Sequence, residues 1–391
     1  MQNLGIILIN QGYYPKELMK KILLLNTLLF PLIGAAQLQT VFKNKVDSIY
    51  KKNSDAIGII VHVEAPKQNI SWSYAIGIAD SKTNKPLDYQ QPVLIASNTK
   101  PYVAAAILRL VEKGNFSVDQ PIKNLLSQRT RQLFEKDGYN LNAITIKHLL
   151  SHTSGIQDYV NEEYFEFVNQ HPTYKWKKEE QIERSIEIGS PQPVGEKFSY
   201  GDINYLLLAE IIEQKTHKPF YSAMRDLLRY KELSLTKTWF IDLDSYPANT
   251  LELAHQYASK YKWDSYDIDP SWDLYGGGGI AATAKESALF FQYLFDGKII
   301  RDKQILEAMH TYVLPSDQSK YCLGLYHFDM GFNAYYHGGW WGTDVIYSPE
   351  SDATVAVFTL QKEFQHIINP FIGKEFQKLL INETGLKYTT D

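Results

Sequence analysis

Strand-forming sequence occupies the two ends of this chain and helix-forming sequence its middle, and that distribution restricts the fold more than any single motif does. Residues 56–63 (AIGIIVHV) and 70–76 (ISWSYAI) are β-branched or aromatic runs parted by a polar turn that holds Pro66 and Asn69. Residues 80–85 read as a further turn. Strand-like segments return at 321–327, 343–348 and 353–360. Between these ends, Val103, Ala104, Ile107, Leu108 and Val111 recur at helical spacing until Gly114. Residues 115–266 read as mostly helical with long connections, including 144–150, 179–188 and 205–214. Thr283-Ala284-Lys285-Glu286 has the pattern of a capping box opening a helix over 287–295. A helix ending near Lys52 and an amphipathic helix over about 364–381 frame the whole. A sheet can be completed here only by bringing the two ends together. The expected architecture is therefore α+β: a mixed or antiparallel sheet built from N- and C-terminal strands, flanked by helices, with a mostly helical region inserted.

The leader adds a second constraint. Met19-Lys20-Lys21 precedes a mostly apolar run over 22–34 and then Ala35-Ala36-Gln37. A charged start, an apolar stretch and small residues are the pattern of a secretory signal peptide, here cleaved after Ala36. The run is shorter than the ~20 residues a spanning helix needs. Asn26, Thr27 and Pro31 interrupt it, and no cysteine follows it to carry a lipid. The expectation is a periplasmic or secreted protein with no stable membrane anchor, a leader over 1–36 and one domain over 37–391. The stretch ahead of Met19 is long for a signal, so translation starts at Met19 or the leader is extended. The competing reading is a buried N-terminal helix. Forty Lys+Arg against forty-four Asp+Glu give a net charge of −4. There is no basic excess for nucleic acid. The lone cysteine, Cys322, excludes an intramolecular disulfide, a cysteine zinc site and an iron–sulfur cluster.

Ser97-Asn98-Thr99-Lys100 stands where strand-like sequence gives way to helix. Residues three apart share a helix face, so the Lys100 amine can reach the Ser97 hydroxyl. A serine hydroxyl attacks poorly until a neighbouring base takes its proton, and a helix start favours the negative charge that develops. Alone, Ser-x-x-Lys is a common coincidence. Two further elements follow: Ser199-Tyr200-Gly201-Asp202-Ile203-Asn204 ahead of an apolar helix, and His337-Gly338-Gly339 followed by Trp340-Trp341-Gly342-Thr343.

In this order and spacing, Ser-x-x-Lys, a tyrosine motif and His-x-Gly resemble the serine penicillin-recognising superfamily, in the branch of class C β-lactamases, DD-carboxypeptidases, esterases and D-aminopeptidases. Residues 144–155 (ITIKHLLSHTSG), 275–283 and 353–360 are similar to it as well, and the resemblance spans about residues 40–380. It implies Ser97 as the acylated nucleophile, Lys100 as the shuttle for its proton and Tyr200 as a second acid/base, with a pKa brought below the free ~10 by a nearby ammonium. It implies an oxyanion hole from the backbone N–H groups of Ser97 and Trp340, and a substrate wall of Asp202, His337, Gly338 and Gly339. No metal and no organic cofactor are implied; the partner is a small-molecule or peptide substrate, cell-wall peptides included.

Two positions depart from the β-lactamase pattern: Asp202 stands for the usual Asn and His337 for the usual Lys. Asp202 also directly precedes a helix and has the chemistry of an N-cap, a role compatible with lining the pocket. With His337 near its unperturbed ~6.5 and Asp202 ionised, the pocket loses about two positive charges. The expected activity is a DD-peptidase- or esterase-like serine hydrolase working through a covalent acyl-enzyme. The alternatives are a true class C-type β-lactamase and a non-catalytic scaffold that keeps the fold. Other patterns fail: Leu149 breaks an HExxH reading of His148 and His152, residues 276–279 lack the Gly-Lys-Ser/Thr of a phosphate loop, and no Gly-x-Ser-x-Gly occurs.

Overall fold

Ile59 pairs with Thr359, so the two ends of the chain meet in one antiparallel ladder. The computed structural model describes the backbone of residues 16–383 and the side chains from residue 34. In chain order, α1 (Lys16–Lys52) leads into β1 (Gly58–Ala65), β2 (Ile70–Asp80), β3 (Lys85–Pro86) and β4 (Val93–Leu94). The inserted region follows with α2 (Lys100–Glu112), α3 (Gln128–Lys136), α4 (Ile146–Leu150), α5 (Glu162–Gln170), α6 (Lys178–Glu187), α7 (Ile203–Thr216) and α8 (Phe220–Leu227). Then come β5 (Thr238–Phe240), β6 (Tyr257–Ala258), β7 (Trp263–Asp264), β8 (Ile280–Ala282), α9 (Ala284–Phe295) and α10 (Lys303–Met309). The chain closes with β9 (Tyr326–Asp329), β10 (Asn333–Gly339), β11 (Thr343–Ser348), β12 (Ala353–Thr359) and α11 (Gln365–Glu383).

Among the described residues the main sheet runs β3-β2-β1-β12-β11-β10-β9, each neighbouring pair antiparallel. This is the α+β arrangement expected from the strand distribution. Alternation along β1 sends Ile59, Val61 and Val63 to a core shared with Phe42, Ile368 and Phe376, and Ile60 to the larger core shared with α2, α7 and α9. Phe42 and Phe376 are buried and stack at 4.2 Å, each burial worth roughly 2–3 kcal/mol.

Several boundaries differ from expectation. The strand expected at 321–327 begins only at Tyr326, because Gly324 at φ 92° turns the chain and buries Tyr321 and Cys322. The helical character of 115–266 ends at Leu227; short strands and turns fill the rest. Thr283 caps α9 through the Glu286 N–H, but the Glu286 carboxylate does not return to complete a box. It accepts from the Thr236 and Lys237 N–H groups and the Thr238 hydroxyl instead. At the leader, α1 runs through residue 36, and among its described side chains, which begin at residue 34, the first buried one is Leu38. The leader ahead of residue 16 lies outside the described residues. No helix among the described residues is long and apolar enough to cross a membrane.

Candidate active site

Ser97 sits on a short 3₁₀ turn, Ala96–Thr99, that runs directly into α2. Ala96 has φ 45°, a left-handed conformation that costs a residue with a side chain on the order of 1 kcal/mol and must be held from outside. The holding groups come from two strands. Ile95 N–H donates to Ile280 O at 2.9 Å; Thr343 Oγ1 donates to Ile95 O at 3.0 Å; Asn98 Nδ2 donates to Thr343 O at 3.0 Å. Gly339 packs so close that a Cβ there would fall 2.0 Å from Ile95 O. The Ser97 turn is thus clamped between β8 and the β10–β11 hairpin.

Lys100 is fully buried at the first turn of α2. Its Nζ lies 3.0 Å from Ser97 Oγ and 2.7 Å from Gly277 O, both aligned hydrogen bonds. Asp202 Oδ1 lies 2.5 Å from the same ammonium, in an ion-pair contact without hydrogen-bond alignment. The Tyr200 and Tyr205 rings offer their faces at 4.8 and 5.6 Å. The glycine-rich turn brings both the Gly277 carbonyl and close access: a Cβ on Gly277 would stand 2.8 Å from Asp202 Cγ.

Asp202 occupies the residue before α7, as a cap would, yet its side chain makes no capping bond. Asp158 does that work, its Oδ1 accepting from Ile203 N–H at 3.2 Å. The cap reading of Asp202 is therefore corrected: the carboxylate turns to the buried ammonium, and a neighbouring carboxyl serves the helix. Asp273 joins this group. Burial, and then the charge of Asp202, push Asp158 up to about 8 and Asp273 well above the usual carboxylate range. Near neutral pH, Asp158 is protonated beside the Lys100–Asp202 pair, and Asp273 is shifted in the same direction.

Tyr200 is held from behind by His152. The His152 carbonyl accepts from Ser199 N–H at 2.8 Å, and its Nδ1 accepts from Gly201 N–H at 3.2 Å. Its ring lies 4.3 Å from that of Tyr200. The Tyr200 pKa is not brought below the free value, as the resemblance implied. Burial first, then the charge of Asp202, raise it well above, while a bond with Ser97 works the other way.

His337 corrects a second expectation. Burial, then the Lys100 charge, push it down to about 3, so its titration lies outside the ordinary pH range. Nδ1 lies 2.8 Å from Gly338 O and must carry the proton, because a carbonyl only accepts; Nε2 then accepts from the Tyr321 hydroxyl at 3.1 Å. The ring is a neutral, fixed wall. β9 covers β10 from Asn333 to Tyr336, and beyond that point the Ser97 turn takes the place of a neighbouring strand. Trp340 follows, half-buried, stacked on Phe165 at 5.7 Å and against Trp263 and Trp272 at 5.5 and 5.4 Å. Trp341 is in the core, 2% exposed.

The fold thus brings Ser97, Lys100, Tyr200, Asp202 and the 337–340 segment into one place. Asp158, Asp273, Gly277, His152 and Tyr321 were not singled out beforehand as site residues. Residues 144–155 and 275–283 did stand out, and His152 and Gly277 lie within them. Such an arrangement can activate a hydroxyl beside a buried ammonium and receive an acyl group between the Ser97 turn and the end of β10.

The chain matches the Beta-lactamase family over residues 46–367. PbpX of Bacillus subtilis (strain 168) is 28% identical over 296 residues, which cover 74% of this chain and 67% of PbpX. Esterase EstB of Burkholderia gladioli is 34% identical over 122 residues, 31% of this chain and 29% of the esterase. In fold, the chain is similar to the D-amino acid amidase of Ochrobactrum anthropi SV3, with a TM-score of 0.71 at 21% identity over 88% of this chain and 99% of that one. A penicillin-binding protein from Bacillus halodurans superposes with a TM-score of 0.68 at 20% identity, over 84% of this chain and 98% of its own. The match across most of its length makes this chain a member of the Beta-lactamase family, a serine hydrolase related to the penicillin-binding proteins.

Proposed function

We propose that the protein is an exported hydrolase that forms an acyl-enzyme on Ser97 and acts on esters or amides whose acyl part is neutral or carries a free amine. The observation that carries this reading is the position of Lys100, 3.0 Å from the Ser97 hydroxyl and 2.5 Å from the Asp202 carboxylate. As Oγ attacks the acyl carbon, the Ser97 proton passes to Lys100 Nζ while an ammonium proton passes to the Asp202 carboxylate, and Asp202 returns it through Lys100 to Tyr200 Oη once Tyr200 has given up its own. Tyr200 protonates the leaving group and, in the second half-reaction, with the relay running in reverse, takes a proton from water. The Ser97 and Trp340 backbone N–H groups receive the oxyanion.

Charge selects the substrate. With His337 and Asp158 neutral, Lys100 and Asp202 cancel, and Asp273 can add only negative charge, so no net positive charge awaits the carboxylate of a penicillin. The similarity to an esterase in sequence and to a D-amino acid amidase in fold agrees with this preference. Short peptides with D-amino acids, those of cell-wall type included, belong to the same class.

Turnover of D-amino acid amides, neutral aryl esters and benzylpenicillin by purified wild type and Ser97→Ala tests the proposal. Expected is a higher kcat/KM for the amide or neutral ester than for benzylpenicillin, and loss of all three in Ser97→Ala. Faster benzylpenicillin turnover would identify a β-lactamase, and no turnover by the wild type a scaffold. Export rests on the leader pattern, with the cut after Ala36 leaving the buried Leu38 in the mature chain. Intact mass from a periplasmic or secreted fraction should start at Gln37; a chain retaining residues 22–34 overturns it.

A further inference from the structure

Away from Ser97, a cavity of about 640 Å³ opens between the β1–β2 hairpin and the start of α9, lined among others by His62, Ser71, Ser73, Lys237, Lys285 and Tyr293. None of the residues assigned above to the Ser97 site lines it. His62 on β1 stands directly opposite Ser73 on β2, and Glu64 lies two residues on, on the same face as His62. His62 Nδ1 is 2.7 Å from Ser73 Oγ, and His62 Nε2 is 3.1 Å from Glu64 Oε2. A carboxylate only accepts, so Nε2 carries the proton of the neutral ring. Nδ1 is then the bare nitrogen that accepts the Ser73 hydroxyl proton. His62 is 1% exposed, and its burial lowers its pKa below the ordinary value, which keeps it a neutral base. Ser73 is half-buried and borders the cavity.

From this geometry we propose that Ser73, His62 and Glu64 form a second nucleophilic centre, which cleaves small carboxylic esters bearing a negative charge. Nucleophile, base and orienting acid stand in hydrogen-bond sequence beside open volume, the arrangement that activates a serine on unrelated folds. Ser73 Oγ bonds to the ester carbonyl carbon as its proton passes to His62 Nδ1, and Glu64 holds the resulting imidazolium through Nε2–H. The C–O bond to the leaving alcohol then breaks, and His62 returns the proton to that oxygen. Water, deprotonated by the same nitrogen, releases the acid and restores Ser73. The negative charge is argued from Lys237 and Lys285, which line the cavity and form no ion pair among the described residues, against one lining carboxyl, Glu286, whose oxygens are taken up by the Thr236 and Lys237 N–H groups and the Thr238 hydroxyl. The Lys285 charge is felt at both His62 and Glu64.

The test uses the full-length Ser97→Ala protein, so that the family nucleophile is absent. It is treated with a biotinylated fluorophosphonate, digested with trypsin and mapped by tandem mass spectrometry. The adduct is expected on Ser73, within fragment 68–82, and is absent from Ser97→Ala/Ser73→Ala. Its rate should fall by about a hundredfold when Glu64→Gln or His62→Gln is added. Circular dichroism checks folding, and Glu64→Gln, at a side chain 15% exposed, decides the matter if the buried His62 variant fails to fold. No adduct on Ser73, or one that forms equally fast with Glu64→Gln, overturns the proposal and leaves a structural cross-strand bond. The substrate class is read in Ser97→Ala by comparing 4-nitrophenyl hydrogen glutarate with 4-nitrophenyl butyrate. The charged ester should be faster and lose its advantage in Lys285→Met; equal rates refute the charge argument.

Discussion

Replacing Asp202 by Asn removes one negative charge from beside the nucleophile while keeping the shape of the side chain. Steps of 3.0 Å from Ser97 Oγ to Lys100 Nζ and 2.5 Å from there to Asp202 put the carboxylate within about 5.5 Å of the attacking oxygen. A substrate charge two bonds beyond the scissile carbonyl sits ~7 Å from it, and at an effective dielectric of ~20 that is worth ~2.4 kcal/mol. Screening at an open mouth reduces this to ~1.2 kcal/mol. An ammonium gains this amount and a carboxylate loses it, so Asp202→Asn should shrink the difference by ~2.4 kcal/mol, about fiftyfold. The assay is kcat/KM for two aryl esters that differ only in a distal trimethylammonium or carboxylate. Changes in the chemical step common to both cancel in the ratio. It should be run near pH ~6, because the charge of Asp202 helps hold Asp158 protonated. Once Asp202 is neutral, Asp158 ionises at lower pH than before, and raising the pH should restore part of the ammonium preference. A ratio within twofold of wild type at about pH 6 would refute the electrostatic account.

Tyr200→Phe should still acylate but release product roughly a hundredfold more slowly, seen as a burst with an aryl ester followed by slow turnover. Asp158 is protonated in the folded protein up to about 8 and, unfolded, loses its proton near ~3.9, so its contribution to stability falls as pH rises through that window. Urea unfolding should therefore show wild type losing stability relative to Asp158→Asn across the window, by at most ~1.4 kcal/mol per pH unit, and level above it. Gly339→Ala would drive a Cβ to 2.0 Å from Ile95 O, so it should cost about 1–3 kcal/mol by the same assay and abolish labelling of Ser97.

How far the sequence could be read followed from where the deciding physics lies. β11 falls at 343–348, as its β-branched run predicted, and α2 carries the face that its periodicity drew, because both signals are local. β10 was legible only at its end, where His337-Gly338-Gly339 reads as a strand edge: NAYYHGG has no β-branched residue, and neighbouring strands impose its conformation. The Ser97–Lys100 contact was legible because one helical turn sets it. The roles of Asp202 and Asp158 were not, since each stands near a helix start and only the packing shows which one meets the ammonium. The same holds for Tyr200 and His337. Their ordinary pKa values belong to the residue type, whereas the observed directions come from burial that the rest of the chain creates.

The pairing of Ile59 with Thr359 spans three hundred residues of chain, and the Ser97 turn is pinned by Thr343. A growing polypeptide therefore has no partial version of this catalyst: until the last strands exist, β1 lacks its neighbour and Ala96 has nothing to hold its left-handed conformation. Such long-range closure makes folding slow. If the chain is exported as proposed, that delay is an advantage. It would leave the polypeptide threadable during export and the Ser97 turn unformed until synthesis is complete.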